Sequence, residues 1–103
     1  MPESKIIVVL TTFPDEKIAK SVCRTLVEEG HAACAQIDAE IDSIYKWDGK
    51  FCESREYRAT LKISPKKIIE ARKRLEQLHP YECPEWVELS GNASESYGKW
   101  VNG

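Results

Sequence analysis

The sequence predicts an α+β domain: a ferredoxin-like β-α-β-β-α-β chain with a long hairpin between its second and third strands and a short C-terminal helix. Three observations predict it. Apolar spacing changes from a strand run to a helical stripe after Pro14, and then to alternation after Ala32. An Asp48-Gly49 pair divides the alternating stretch in two. A second helix and a short strand follow Ser64 in the same order as the first pair. The 103 residues, 42% hydrophobic and 31% charged, suffice for one modest core. No linker or repeat interrupts them, so residues 1–103 read as a single domain.

The first strand is Ile6-Ile7-Val8-Val9-Leu10, continued by Thr11-Thr12-Phe13. Both of its faces are apolar, which predicts a central strand covered on both sides. Pro14 ends it. Asp15 is a good N-cap, and Glu16 suits a helix N-terminus. Ile18, Ala19, Val22, Cys23, Leu26 and Val27 then form one apolar stripe, stopped by Gly30. Cys23 lies within the stripe and reads as a small buried hydrophobe.

From Ala32 to Trp47 the period is two. Ala33, Ala35, Ile37, Ala39, Ile41, Ser43, Tyr45 and Trp47 share one face, and Cys34, Gln36, Asp38, Glu40 and Asp42 the other. The returning strand runs from Phe51 to Ser64, with Tyr57, Ala59, Leu61 and Ile63 as its apolar set. A two-residue loop at Asp48-Gly49 would set Ile41 opposite Glu56 and mix the faces. Alternation therefore predicts an odd loop, three residues long, with Gly49 in a left-handed bulge. Each strand is about 14 residues, far above the usual 5–6. Such a hairpin overhangs the core, and another subunit is the natural cover for its far end. Tyr45 and Trp47 are the expected interface anchors.

Ser64 as N-cap and Pro65 at the first turn open the second helix. It carries Ile68, Ile69, Arg72, Leu75 and Leu78, and stops at His79-Pro80. Residues 85–89 read as a short strand and Gly91-Asn92 as a turn. Ser94 caps a last helix with Tyr97, Trp100 and Val101 on one side.

Charge narrows the function. Fifteen Lys and Arg against 17 Asp and Glu give a net charge of −2, with the signs interleaved. That pattern offers no footprint for nucleic acid or an anionic membrane. No apolar run approaches the roughly 20 residues of a membrane span. Residues 1–5 lead straight into the first strand without a signal-peptide core. Cysteines 23, 34, 52 and 83 are widely spaced, with no C-x-x-C. A cytoplasmic chain with reduced thiols is expected. G-x-S-x-G, P-loop and H-E-x-x-H patterns are missing. Acylphosphatases share the strand order and cradle phosphate on a Gly-rich loop with an arginine. Here that place reads Thr11-Thr12-Phe13-Pro14-Asp15. No enzymatic activity is expected.

Chemistry concentrates in Leu78-His79-Pro80-Tyr81-Glu82-Cys83-Pro84-Glu85. Two prolines stiffen a loop that bears an imidazole, a phenol, a thiol and two carboxylates. His79 reads either as a helix-end structural residue or as a ligand. Cys83 follows four residues later, and His with Cys suits copper or zinc. Cys34, on the polar face of the second strand, is a weaker candidate, and Cys52 reads as an exposed thiol without a role. Asp38, Glu40 and Asp42 would stand roughly 7 Å apart on one face. Arg58 and Lys62 opposite make ion pairing their stronger reading.

Four segments in register carry a resemblance. They are Val9-Leu10-Thr11-Thr12-Phe13-Pro14-Asp15-Glu16, Leu26-Val27-Glu28-Glu29-Gly30-His31-Ala32-Ala33-Cys34, Ser43-Ile44-Tyr45-Lys46-Trp47-Asp48-Gly49-Lys50, and the 78–85 loop. Together, over about residues 6–101, the chain resembles the CutA divalent-cation tolerance family. The resemblance implies a tight homotrimer whose hairpins cross to their neighbours. It also implies a role in tolerance of divalent cations, copper above all, with metal binding and no organic cofactor. Some bacterial members place a cysteine at the position of Thr11 and two histidines at Leu78-His79 as proposed copper ligands. This chain retains His79, and it retains Cys34 of the Ala-Ala-Cys motif. With Cys83, which stands where the family often has another residue, the expected metal ligands are His79, Cys34 and Cys83. Two rival functions remain. One is a trimeric small-molecule sensor similar in architecture to the PII signalling proteins, taking an anionic metabolite between subunits. The other is a protein-interaction or assembly module.

Overall fold

The computed structural model describes residues 4–103, and residues 1–3, within the expected lead into the first strand, lie outside the described residues. In chain order the elements are β1 (Lys5–Phe13), α1 (Glu16–Glu28), β2 (Cys34–Trp47), β3 (Lys50–Ile63), α2 (Ile68–Leu78), β4 (Val87–Asn92) and α3 (Glu95–Asn102). The four strands form one antiparallel sheet in the order β2-β3-β1-β4. This is the ferredoxin-like arrangement, with β1 central as its apolar run requires. No helix among the described residues is long and apolar enough to cross a membrane.

α1 and α2 cover one sheet face. There Val9, Phe13, Ala59, Leu61 and Ile63 are fully buried against Ala19, Leu26, Ala71 and Leu75. Asp15 caps α1 by accepting from the Ile18 amide at 2.8 Å. Gly30, at φ 80°, ends it. The amide of Gly30 donates to Val27 and that of His31 to Leu26, the paired bonds of a Schellman stop. α3 sits on the opposite face, tied down by Asn102, which donates to the Lys5 carbonyl and accepts from Ser64 Oγ. The second face is covered only in part: Ile6 is buried, whereas Val8 and Leu10 are half-buried and Val87 and Leu89 exposed. The expected two-sided cover of β1 is therefore incomplete within one chain.

The hairpin departs from its expected geometry. Asp48 and Gly49 both have positive φ, 55° and 75°, and Trp47 pairs with Lys50. That is a two-residue type I′ turn, whose twist matches the flanking strands, not a three-residue loop. The parity conflict is resolved elsewhere. Between Ile37 and Glu40 the β2–β3 register shifts by one, a β-bulge. Ile37 stays opposite Ala59, while Ile41 does pair with Glu56. The two ends of β2 thus present opposite parities to each face. Ile41, Ser43, Tyr45 and Trp47 leave the helix-covered face that Ala35 and Ile37 keep. The side chain of Ala39 lies outside the described ones.

Three smaller expectations also change. Ser64 gives α2 no side-chain cap, and a 3-10 turn over Pro65–Lys67 precedes the helix. Ile69 is exposed, and Ala71 holds the buried position instead. β4 begins at Val87, and Gly91 and Asn92 pair with Ile6 and Lys5 as strand residues rather than a turn.

Candidate functional site

Pro80 fixes where α2 ends. The residue before a proline avoids helical geometry, and His79 is extended, at φ −77° and ψ 137°. Its ring therefore turns inward. Only 7% of His79 is exposed, and the imidazole stacks on Phe13 with ring centroids 4.8 Å apart. Nε2 lies 2.7 Å from the Thr12 carbonyl oxygen, and the Tyr81 amide donates to Nδ1 at 3.1 Å. A backbone carbonyl can only accept and an amide can only donate. The two bonds together require the neutral tautomer with its proton on Nε2. Burial lowers the His79 pKa below its usual value, opposed by the Thr12 carbonyl and the Glu56 charge. His79 thereby clamps the loop to β1. A metal reaches Nδ1 only after the Tyr81 amide lets go.

The loop's next residue completes the clamp. Tyr81 Oη donates to Oε2 of Glu56 at 2.8 Å, and burial together with that carboxylate raises the phenol pKa. Glu56, on β3, is only 7% exposed. Alternation along β3 sets it on the face opposite Ala59, and the two-residue turn and the bulge bring Ile41 and Tyr45 to that face.

Between the 80–85 segment and the hairpin overhang runs a groove of about 840 Å³. Tyr45, Trp47, Cys52 and Glu56 line it from the hairpin, and Tyr81, Glu82, Cys83 and Glu85 from the loop. Among the described residues that line it, none is Lys, Arg or His. Burial and the Glu56 charge raise the Glu85 pKa, partly offset by Arg58.

The expected ligands are not all together. Cys83 is exposed on the groove wall, and His79 anchors the same loop from beneath. Cys34 pairs with Lys62, which pairs with Val8, whereas His79 meets the backbone at Thr12. Four residue steps, about 13 Å, separate those levels. Among the described residues, no three His, Cys, Asp or Glu side chains are placed to hold a metal ion. One chain alone therefore brings together no complete ligand set among the described residues. All four cysteines are free; Cys23 is buried, and burial raises its pKa to about 11. The bulge also divides the acidic trio. Asp38 pairs with Arg58 at 3.2 Å, while Glu40 and Asp42 share Arg55 at 3.3 Å each, and Lys62 donates to Gln36.

Tyr45 and Trp47 lie near the hairpin tip, 42% and 59% exposed, with Ile44 and Phe51 more exposed still. Glu56 and Cys52 escaped the sequence-based assignment. A charged residue in an alternating strand reads as solvent-facing, and the one signal for Glu56 was the Ile41 pairing that a short turn enforces.

Comparison with known proteins agrees with this architecture. The family model described as CutA1 divalent ion tolerance protein matches residues 7–103. The divalent-cation tolerance protein CutA of Thermus thermophilus is 36% identical over 91% of this chain and 92% of its own length. That of Pyrococcus horikoshii is 37% identical over 93% and 94%. The solved structure of the Thermus thermophilus divalent cation tolerance protein superposes with a TM-score of 0.89 at 35% identity, covering 93% of this chain and 94% of that one.

Proposed function

The chain belongs to the CutA1 divalent ion tolerance family, and from that premise we propose that it acts by binding a divalent or soft metal ion, copper or zinc, as a cytoplasmic homotrimer. Cys83 is the ligand in reach. The observation that carries this reading is its exposed thiol on a loop held rigid by the His79 and Tyr81 bonds. A thiolate suits soft and borderline metals. His79 becomes a second ligand when the Tyr81 amide releases Nδ1. Cys34 serves a separate position at the start of β2.

Incomplete ligation within one chain supports assembly. So do the hairpin's reach, in a molecule 45 Å long and 24 Å across, and the exposed Tyr45 and Trp47 at its tip. A neighbouring copy would cover those rings and supply the missing donors. The protein is then a binding protein, not an enzyme.

Calorimetric titration of the assembled, reduced protein with copper(I) and zinc(II) tests this. Cys83→Ser is the informative variant, because it leaves the His79 anchor intact. Saturable binding that weakens at least tenfold, about 1.4 kcal/mol, supports the assignment. Unchanged affinity in Cys83→Ser removes the loop as the metal site.

A second reading has its own observation. A groove of about 840 Å³ falls within the range of small-molecule sites, which favours a sensor over a pure assembly module.

A further inference from the structure

Tyr81 joins two buried residues, His79 and Glu56, by three contacts made within one chain. Its amide donates to His79 Nδ1 at 3.1 Å, its ring tilts against the imidazole with centroids 4.8 Å apart, and its hydroxyl donates to Glu56 at 2.8 Å. His79 has no room to yield, since its Nε2 holds the Thr12 carbonyl at 2.7 Å and its ring stacks on the fully buried Phe13. A bond from zinc to an imidazole nitrogen is about 2.0 Å long. A metal on the lone pair of Nδ1 would therefore stand only about 1 Å from the present place of the Tyr81 nitrogen. The amide must withdraw, and the ring and hydroxyl are drawn with it. Glu56 then loses its only hydrogen bond among the described residues, and a buried carboxylate without a partner is unfavourable. Glu56 lies on β3 opposite Ile41, where the hairpin leaves the bulge towards Tyr45 and Trp47.

We propose that Tyr81 is the latch of the metal site: it closes Nδ1 of His79 in the metal-free protein, and metal binding there draws its hydroxyl off Glu56 and loosens the base of the hairpin. The inference rests on the metal reading, with His79 as second ligand, and names what occupancy of that site changes. Tyr81 is a positioning residue and not itself a ligand. Coupling of this kind is reciprocal, so releasing Tyr81 from Glu56 by other means favours the metal.

Tyr81→Phe makes that release, because phenylalanine keeps the amide and the ring but lacks the hydroxyl. Zinc(II) is titrated by calorimetry into the assembled, reduced wild type and variant, and hydrogen exchange is followed at the amides of residues 55–58. In the wild type, saturating zinc should speed that exchange at least about fivefold, the lower end of ordinary coupling. In Tyr81→Phe the same amides should exchange at the faster rate with or without zinc, and zinc should bind at least about fivefold more tightly. A merely structural Tyr81 gives the reverse, since its loss would loosen the loop and weaken binding. Zinc binding without faster exchange in the wild type, or with equal or weaker affinity in the variant, would overturn the latch and leave the metal reading standing. No zinc binding by the wild type overturns both, so the titration tells the two failures apart. Should Tyr81→Phe fail to assemble, the wild-type exchange comparison decides alone.

Discussion

Replacing His79 by alanine should destabilise the protein far more than a surface histidine would. The substitution leaves the Thr12 carbonyl and the Tyr81 amide without their partner, at roughly 1 kcal/mol each when other groups or water compensate only in part. It also removes the stack on Phe13, about 1 kcal/mol, and opens a small cavity at a site that is 7% exposed. The total is about 3–4 kcal/mol. Guanidinium denaturation of wild type and variant at one protein concentration reads it directly, since assembly links stability to concentration. With a slope of about 3–4 kcal/mol per molar, the midpoint should fall by about 1 M. Hydrogen exchange at the Tyr81 amide should accelerate, because its acceptor is gone. A midpoint within about 0.2 M of wild type, with the Tyr81 amide still protected, would refute the clamp. Loss of metal binding in His79→Ala would not by itself identify a ligand, since the loop bearing Cys83 loses its anchor too.

Other perturbations probe separate parts of the account. Thr11 is fully buried, and its hydroxyl has no hydrogen-bond partner among the described residues. Thr11→Val should therefore stabilise by about 1 kcal/mol, raising the calorimetric Tm by a few degrees, and a fall would show that the hydroxyl is bonded. Gly49 stands at φ 75° in the type I′ turn, so Gly49→Ala should cost about 1 kcal/mol in the same denaturation assay; no cost would contradict that turn. The folded-state pKa of His79 is lowered, so the unfolded chain binds the proton more readily and the stability from the neutral ring is present above the ordinary histidine pKa. That contribution declines as pH falls through the lowered value. Wild type should lose more stability than His79→Gln between about pH 7 and 5, with the opposite contribution of Glu85 common to both. Parallel curves in denaturation midpoints would contradict it.

Much of the fold was legible because local signals agreed with one another. Asp15 and Gly30 bracket α1 as their capping chemistry requires, and Pro80 fixes the end of α2. The hairpin's register was not legible. The sequence alternates without a break through Ile37, Ala39 and Ile41, and alternation alone cannot reveal a bulge that inserts one residue opposite Arg58. The bulge lets Asp48-Gly49 form its preferred tight turn while Ile37 still packs over Ala59. The same shift carries Tyr45 and Trp47 to the face of Glu56. The loop was legible as a concentration of chemistry, but the direction of His79 was not. Only the three-dimensional meeting with the Thr12 carbonyl and the Tyr81 amide shows that its two nitrogens are already engaged. The separation of Cys34 from the loop likewise depends on sheet register, not on sequence distance.

The most direct test is an amide chemical-shift map of the assembled, reduced, isotope-labelled protein titrated with zinc(II). Metal ligation at Cys83 predicts saturable shifts centred on Tyr81–Glu85 and extending to Cys52–Glu56 across the groove. Shifts confined to the start of β2 around Cys34, or none at any residue, would contradict it.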